Sequence, residues 1–227
     1  MRRAYRDSID FPANPFVAFA DFILMILVLV TLGFIYQNVY NDEVIQRLAV
    51  QRLQGLLQKD FYGGLDDGQR RFAIEKFKDG DLQRFTFDGA YLYNKGVNEE
   101  SSKLNNSGRM LLVKFGKVLH EYEGDSTRPG YGLFKRISIQ GNCDKSEGDD
   151  DTLWKISQAR AREVAEIFQR DCKINPELIE ATGRGSWDKS TLSSDMLKNR
   201  RLDIVVYYSG ARAVEFEKKI QSQQILR

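Results

Sequence analysis

The feature that most constrains this chain is the run Phe16–Tyr36, FVAFADFILMILVLVTLGFIY. Its 21 residues hold a single charge, Asp21. As an α-helix rising about 1.5 Å per residue, the run crosses a hydrocarbon core about 30 Å thick. A cleaved signal peptide has a shorter apolar region and a small-x-small site after it, whereas here Tyr36-Gln37-Asn38 follow. The sequence therefore predicts a retained, single-span anchor, although mean hydropathy over the chain is −0.45. Before the run stand Arg2, Arg3 and Arg6, while residues 37–51 carry Arg47 alone among the arginines. The positive-inside bias predicts a cytoplasmic N-terminus, with the rest of the chain in the periplasm of a Gram-negative inner membrane.

Asp21 calls for an explanation. A carboxylate at the centre of a span costs roughly 2.5–3.5 kcal/mol on insertion scales. One reading starts the span at Phe22 and leaves Asp21 at the interface. The other keeps Phe16, Val17, Ala18, Phe19 and Ala20 in the span, so that the acid lies one to two turns inside. The length of that apolar stretch favours the second. An intramembrane carboxylate is read first as a proton or ion site, because its protonation state decides whether burial is tolerated. The span contains no Lys, Arg or His, so any partner must come from another chain.

Composition excludes other classes. Lys plus Arg number 34 against 32 for Asp plus Glu, a balance that argues against direct nucleic-acid binding. Two cysteines and one histidine leave no four-cysteine zinc site, and no metal or cofactor is expected. No nucleophile–base pair or phosphate loop is legible, so the chain does not read as an enzyme. Gly183-x-Gly185 is too short a signal, and His120 suits the end of a helix.

Residues 37–80 read as a helical joint. Val44, Ile45, Leu48, Leu53, Leu56 and Leu57 stand at rough heptad spacing and fit either a continuation of the membrane helix or pairing with a second copy. Residues 71–74 are ambiguous between strand and helix. From residue 81 the pattern is that of a compact mixed domain ending at residue 209, with residues 210–227 as a helical tail. Strands are predicted at Leu82–Phe87, Phe134–Gln140, Ile179–Thr182 and Leu202–Tyr208. Helices are predicted from a Ser107 cap to Leu119 and from Leu153 to Arg170. The order is β-α-β-α-β-β, an α+β domain.

In the second helix Arg160 falls on the apolar face of Leu153, Ile156, Val164, Ile167 and Phe168. It either snorkels or holds a private ion pair, or it aims a guanidinium into a pocket, where its planar fork suits a carboxylate. Cys143 and Cys172 flank this helix at opposite ends, so no bond between them within one chain is expected.

Three motifs then carry a resemblance over residues 82–208. Ile137-Ser138-Ile139-Gln140-Gly141-Asn142-Cys143-Asp144 resembles the strand ending in Gly-His-Thr-Asp of OmpA-like peptidoglycan-binding domains. Leu153-Trp154-Lys155-Ile156-Ser157-Gln158-Ala159-Arg160-Ala161 resembles their Asn-Trp-x-Leu-Ser-x-x-Arg-Ala. Asn199-Arg200-Arg201-Leu202-Asp203-Ile204 is similar to Asn-Arg-Arg-Val-Glu-Ile. The resemblance implies an OmpA-like fold that grips the carboxylate and ammonium of the wall stem peptide, with Asp144, Ile156, Arg160, Asn199 and Arg200 as site residues. Asn142, Cys143 and Leu153 depart from the pattern at His, Thr and Asn, and remove polar contacts.

Phe19-Ala20-Asp21-Phe22 with Met25 resembles the start of MotB-type stator spans. With one span and an OmpA-like domain, it resembles the B subunits of ion-driven rotary motors, a class that includes flagellar and Zorya anti-phage (ZorB) branches. The short joint favours the Zorya branch. The resemblance implies two B chains inside a pentamer of multi-span A subunits (ZorA/MotA-like), with Asp21 carrying the ion. A proton is the expected ion, since a lone carboxylate among apolar neighbours offers no oxygen cage for sodium. The competing expectations are a flagellar stator subunit and a wall tether without transport.

Overall fold

The structure is a computed structural model and describes residues 15–94, 102–123, 132–187 and 199–225. The arginines of the N-terminal tail lie outside the described residues. Contacts divide the chain into two units, one up to Val44 and one from Ile45 onward. Helix α1, Pro15–Gly63, contributes to both.

In the first unit the apolar side chains of α1 point in every direction. The large hydrophobic residues from Phe22 to Ile35 are each 43–66% exposed. A helix that is apolar all round and exposed along its length suits an apolar solvent. By length and composition it can cross a membrane. Thr31 does not break the pattern, because its Oγ1 donates to the Leu27 carbonyl at 2.7 Å.

The second unit starts with the remainder of α1, which has one buried face. Ala49, Val50, Leu53, Leu57 and Phe61 are at most 2% exposed. Helix α2 (Asp67–Arg70) and strands β1 (Ala73–Asp79) and β2 (Leu82–Asp88) follow, then α3 (Gly89–Leu92) and α4 (Asn106–Glu123). After β3 (Phe134–Asn142) come a 3₁₀ turn (Lys145–Glu147), α5 (Asp150–Arg170), a second 3₁₀ turn (Pro176–Leu178), β4 (Ile179–Gly183), β5 (Arg201–Tyr208) and α6 (Gly210–Ile225). The expected β-α-β-α-β-β order is present from β2 to β5.

The sheet runs β1-β2-β5-β3-β4. Only β3 and β4 pair in parallel, joined over α5, as a parallel crossover requires. β5 is central and antiparallel to both neighbours, with Ile204 opposite Phe85 on one side and Ile139 on the other. Phe115 of α4 stands over this face. Its ring centroid lies 4.7 Å from Phe61, 4.8 Å from Phe85 and 5.4 Å from Phe87. Phe61 of α1 is thus at the centre of the aromatic core.

Two expectations are corrected. The segment 37–80 is not a joint outside the domain, because its helix supplies five core side chains and β1 forms the sheet edge, pairing Ala73 with Phe87 and Asp79 with Leu82. The domain therefore begins near Ile45 rather than at residue 81. The ambiguity at residues 71–74 resolves as the entry to that strand. A smaller correction concerns α4, which starts before Ser107. The side chain of Asn105 accepts from the Gly108 N–H at 2.8 Å and takes the capping role.

Candidate functional site

The end of β3, the loop after it and the first turns of α5 meet at close range. Glycine makes this possible. A Cβ on Gly141 would stand 2.1 Å from the Ser157 carbonyl oxygen, and one on Gly183 2.5 Å from the Gln158 nitrogen. Gly183 is thus packed under α5 and binds no phosphate there. The acids at 149–151 start α5, with Asp149 accepting from the Thr152 N–H at 2.9 Å.

The chain then turns at Asp144. Its carboxylate accepts from the Ser146 N–H at 3.0 Å and the Ser146 hydroxyl at 2.7 Å. In return the Asp144 N–H donates to Glu147 at 2.9 Å, a reciprocal capping box. This folds the Glu147 side chain back under the loop, and there it meets Arg160.

Arg160 is fully buried and Glu147 is 6% exposed. The guanidinium grips the carboxylate with both arms, Nη2 at 2.5 Å and Nη1 at 3.1 Å. Nη1 also lies 3.2 Å from the Asn142 carbonyl and 3.2 Å from Cys143 Sγ. The guanidinium carbon sits 4.6 Å from the centroid of the Tyr93 ring. Burial works against the Arg160 charge, but the hydrogen bond to Glu147 and the attraction of Cys143, Tyr93 and Glu147 together outweigh it and hold its pKa above the ordinary value. Burial and then the neighbouring Arg160 push Arg200 down, although its Nε lies 3.4 Å from Glu147. Two guanidinium groups share one carboxylate. Burial also raises the Cys143 thiol to about 12 and the Tyr93 hydroxyl above its usual range.

The five domain residues implied by the resemblance are arranged in three ways. Asp144 and Arg160 converge on Glu147, one through its backbone and the other through its side chain. Arg200 joins them from the entry to β5 and donates from Nη2 to the Asn94 carbonyl at 2.5 Å. Asn199 is part of the scaffold. It accepts from Arg201 at 2.8 Å and donates to the Ser186 carbonyl at 2.9 Å, tying down the loop after β4. Ile156 is packed with Cys143 and Leu153 beneath the site. Of the two readings of Arg160, the ion pair within its own chain is the one present. Asp21, in the other unit, lies on the exposed apolar helix.

Sequence reasoning missed Glu147 and Tyr93. Glu147 had a signal, since Asp144-x-x-Glu147 has capping-box spacing. Tyr93 had none. It reaches the site from the end of α3, through a bridge to Leu104 that no local pattern announces. Both cysteines are free thiols. Cys143 lies at this site, while Cys172 packs beside α4, where a Cβ on Gly116 would stand 2.5 Å from its sulfur.

No protein-family model matches the sequence, and no curated protein does. Solved structures do match. A MotB-like protein from Desulfovibrio vulgaris aligns with TM-score 0.54 at 20% identity, covering 72% of this chain and 96% of that one. The cell-wall anchor of the T6SS from Pseudomonas aeruginosa aligns with TM-score 0.50 at 21% identity, covering 66% and 96%. The fold is therefore one long apolar helix followed by an α+β domain of the MotB/OmpA-like kind.

Proposed function

We propose that the chain is the B subunit of an ion-driven rotary membrane motor, carrying protons on Asp21 and anchored to peptidoglycan by its periplasmic domain. The observation that carries the reading is Asp21: one acid on an otherwise apolar helix long enough to span a bilayer, joined to a domain with the fold of MotB-like proteins and a wall anchor. A membrane carboxylate with no cation in its own span is tolerated when protonated and costly when ionised. Two such chains, placed inside a pentamer of multi-span A subunits, present two acids to the ring. Each acid takes a proton from one side and releases it to the other, and alternation between them steps the ring. The wall-bound domain keeps the B pair from turning with it.

In this reading the N-terminus is cytoplasmic, and the motor belongs to the Zorya anti-phage branch rather than the flagellar one. Asp144 and Arg200, at the rim of the Glu147 cluster, meet the stem peptide. Arg160 acts from below, holding through Glu147 the loop that presents Asp144. The short connection between the span and the domain supports the Zorya branch. The second reading is a tether without transport, which the domain fold alone supports equally.

Asp21 separates the two. The variant Asp21→Asn keeps the shape and removes the titratable charge. It is expected to abolish ion-driven activity and proton flux while membrane insertion and assembly with the A subunit persist. Wild-type activity in that variant would sink the motor and leave the tether.

A further inference from the structure

The chain contains two tryptophans, Trp154 and Trp187, and the structure leaves both in the open. Trp154 is 52% exposed and Trp187 78%. Tryptophan is on average a well-buried residue, and here none of the 2 copies serves the core. They also come together. A Cβ on Gly185 would stand 3.4 Å from Trp187 Cδ1 and 3.9 Å from Trp154 Cε3, so both indoles border one bare stretch of backbone. Gly185 has φ +53°, in the left-handed region, and this conformation holds the turn in place between the rings.

Among the described residues, the surroundings of the pair are polar. Lys155 is exposed, and Gln158, Thr182 and Arg184 are half-buried. A surface made to receive a protein would extend the apolar patch. Two flat apolar faces standing among hydrogen-bonding side chains match instead a ring with apolar C–H faces and a polar rim, which describes a pyranose sugar. Indoles present such faces with little conformational freedom to lose.

The pair is also continuous with the site already described. The Gly185 carbonyl accepts from the Cys143 N–H at 2.8 Å, beside Asp144. The Ser157 hydroxyl accepts from the Gly185 N–H at 2.9 Å. The Ser186 carbonyl accepts from Asn199, the neighbour of Arg200. The loop that carries Trp187 is thus bonded directly to both segments that hold the carboxylate-binding cluster.

We infer that Trp154 and Trp187 form a sugar-stacking platform that takes N-acetylated pyranose units of the wall's glycan strand, beside the place where the stem peptide meets Asp144 and Arg200. This rests on the wall-anchoring reading and assigns it a second ligand class. The glycan strand and its stem peptide would be held by different groups of one surface.

Because the chain has no other tryptophan, its intrinsic fluorescence reports the platform directly. The full chain in detergent micelles is titrated with chitotetraose, an N-acetylglucosamine oligomer without stem peptide, and its binding to intact sacculi is measured in parallel. A saturable change in tryptophan emission is expected. Trp187→Ala and Trp154→Ala should each weaken sacculus binding about three- to tenfold, while Trp187→Tyr retains most of it. Intact sacculus binding with no emission change and no loss in either alanine variant would overturn the platform and leave wall anchoring standing. Failure of the wild-type chain to bind sacculi at all would overturn both. If the alanine variants instead lose self-association at unchanged sugar response, the pair is a contact between copies and the inference fails.

Discussion

The two ends of α1 are made of similar residues and do different work. Between Phe22 and Ile35 the apolar side chains point all round and are all exposed. Between Ala49 and Phe61 they lie on one face, with Leu53, Leu57 and Phe61 each one turn apart and buried, while Leu48 and Leu56 stay in the open. A stripe can be covered by one protein surface, but a full cylinder cannot. The number of apolar residues thus matters less than their angular spread. The first end needs lipid or other chains, and the second is the opening element of a folded domain.

The same contrast separates two acids. Glu147 is buried and answered by two guanidinium groups of its own chain, so it holds structure together. Asp21 has no cation in its span. With no cation in its own span to answer its charge, it is the acid to which the proposed motor reading assigns the proton.

The largest effect that tests this contrast comes from truncation. A fragment beginning at residue 82, where the sequence pattern drew the domain's first strand, lacks β1 and the five core side chains of α1. It is expected not to fold, with no cooperative urea transition. A fragment beginning at Ile45 is expected to unfold in one transition. A stable, cooperative 82–227 fragment would restore the joint as a mere spacer.

Point substitution sharpens the same line. Phe61→Ala removes a ring from the centre of the aromatic core and should destabilise the domain by about 3–5 kcal/mol. Ile26→Ala, in the exposed apolar end, should leave the domain's unfolding midpoint unchanged, whatever it does to insertion. Denaturant titration of both variants in the same detergent provides the comparison.

These outcomes bear on how much of the molecule was legible in the sequence. The four strands from β2 to β5 and the helices α4 and α5 were, because each carries its own period. The entry of α1 into the core was not. Leu48 and Leu56 interleave with Leu53 and Leu57, and the heptad they spell hides which pair faces inward. That choice is made by Phe85, Phe87 and Phe115, which are distant in sequence. β1 was obscured for a related reason. Ala73-Ile74-Glu75-Lys76-Phe77-Lys78 does not alternate cleanly, and its pairing with β2 shifts register between Glu75 and Phe77. At the site, Arg160 stood out as a charge on an apolar face. Its partner lay 13 residues away in a loop, where only the capping-box spacing marked it.

That pair supplies the next test. Arg160→Ala leaves Glu147 buried with Arg200 as its remaining guanidinium and should cost about 3–5 kcal/mol. The double variant Arg160→Met with Glu147→Leu removes the buried ion pair and should recover part of that loss, since an apolar pair of similar volume avoids the desolvation cost while Arg200 loses its acid. If Arg160→Ala is neutral for stability yet weakens sacculus binding, Arg160 contacts the wall itself, contrary to the supporting role given to it here.

The smallest effect concerns the thiols. Burial raises Cys143 from 9.0 to about 12 and Cys172 to about 11. A folded-state value above the unfolded one means that the folded chain keeps a proton the unfolded chain gives up. The contribution is therefore fully present below pH 9 and is lost as pH rises from 9 toward 11–12. The urea midpoint should therefore fall over that window, and Cys172→Ala should flatten part of the slope. At pH 8 both thiols should resist alkylation in the folded chain, since the thiolate is the reactive form. Neither should bridge to the other within one chain. Cys143 precedes α5 and Cys172 follows it, and the 21 residues of that helix span about 32 Å at 1.5 Å per residue. A disulfide needs Cα atoms within about 7 Å. Non-reducing mass mapping after oxidation checks this: a 143–172 link inside one chain would require α5 to unravel and would refute the placement of both thiols.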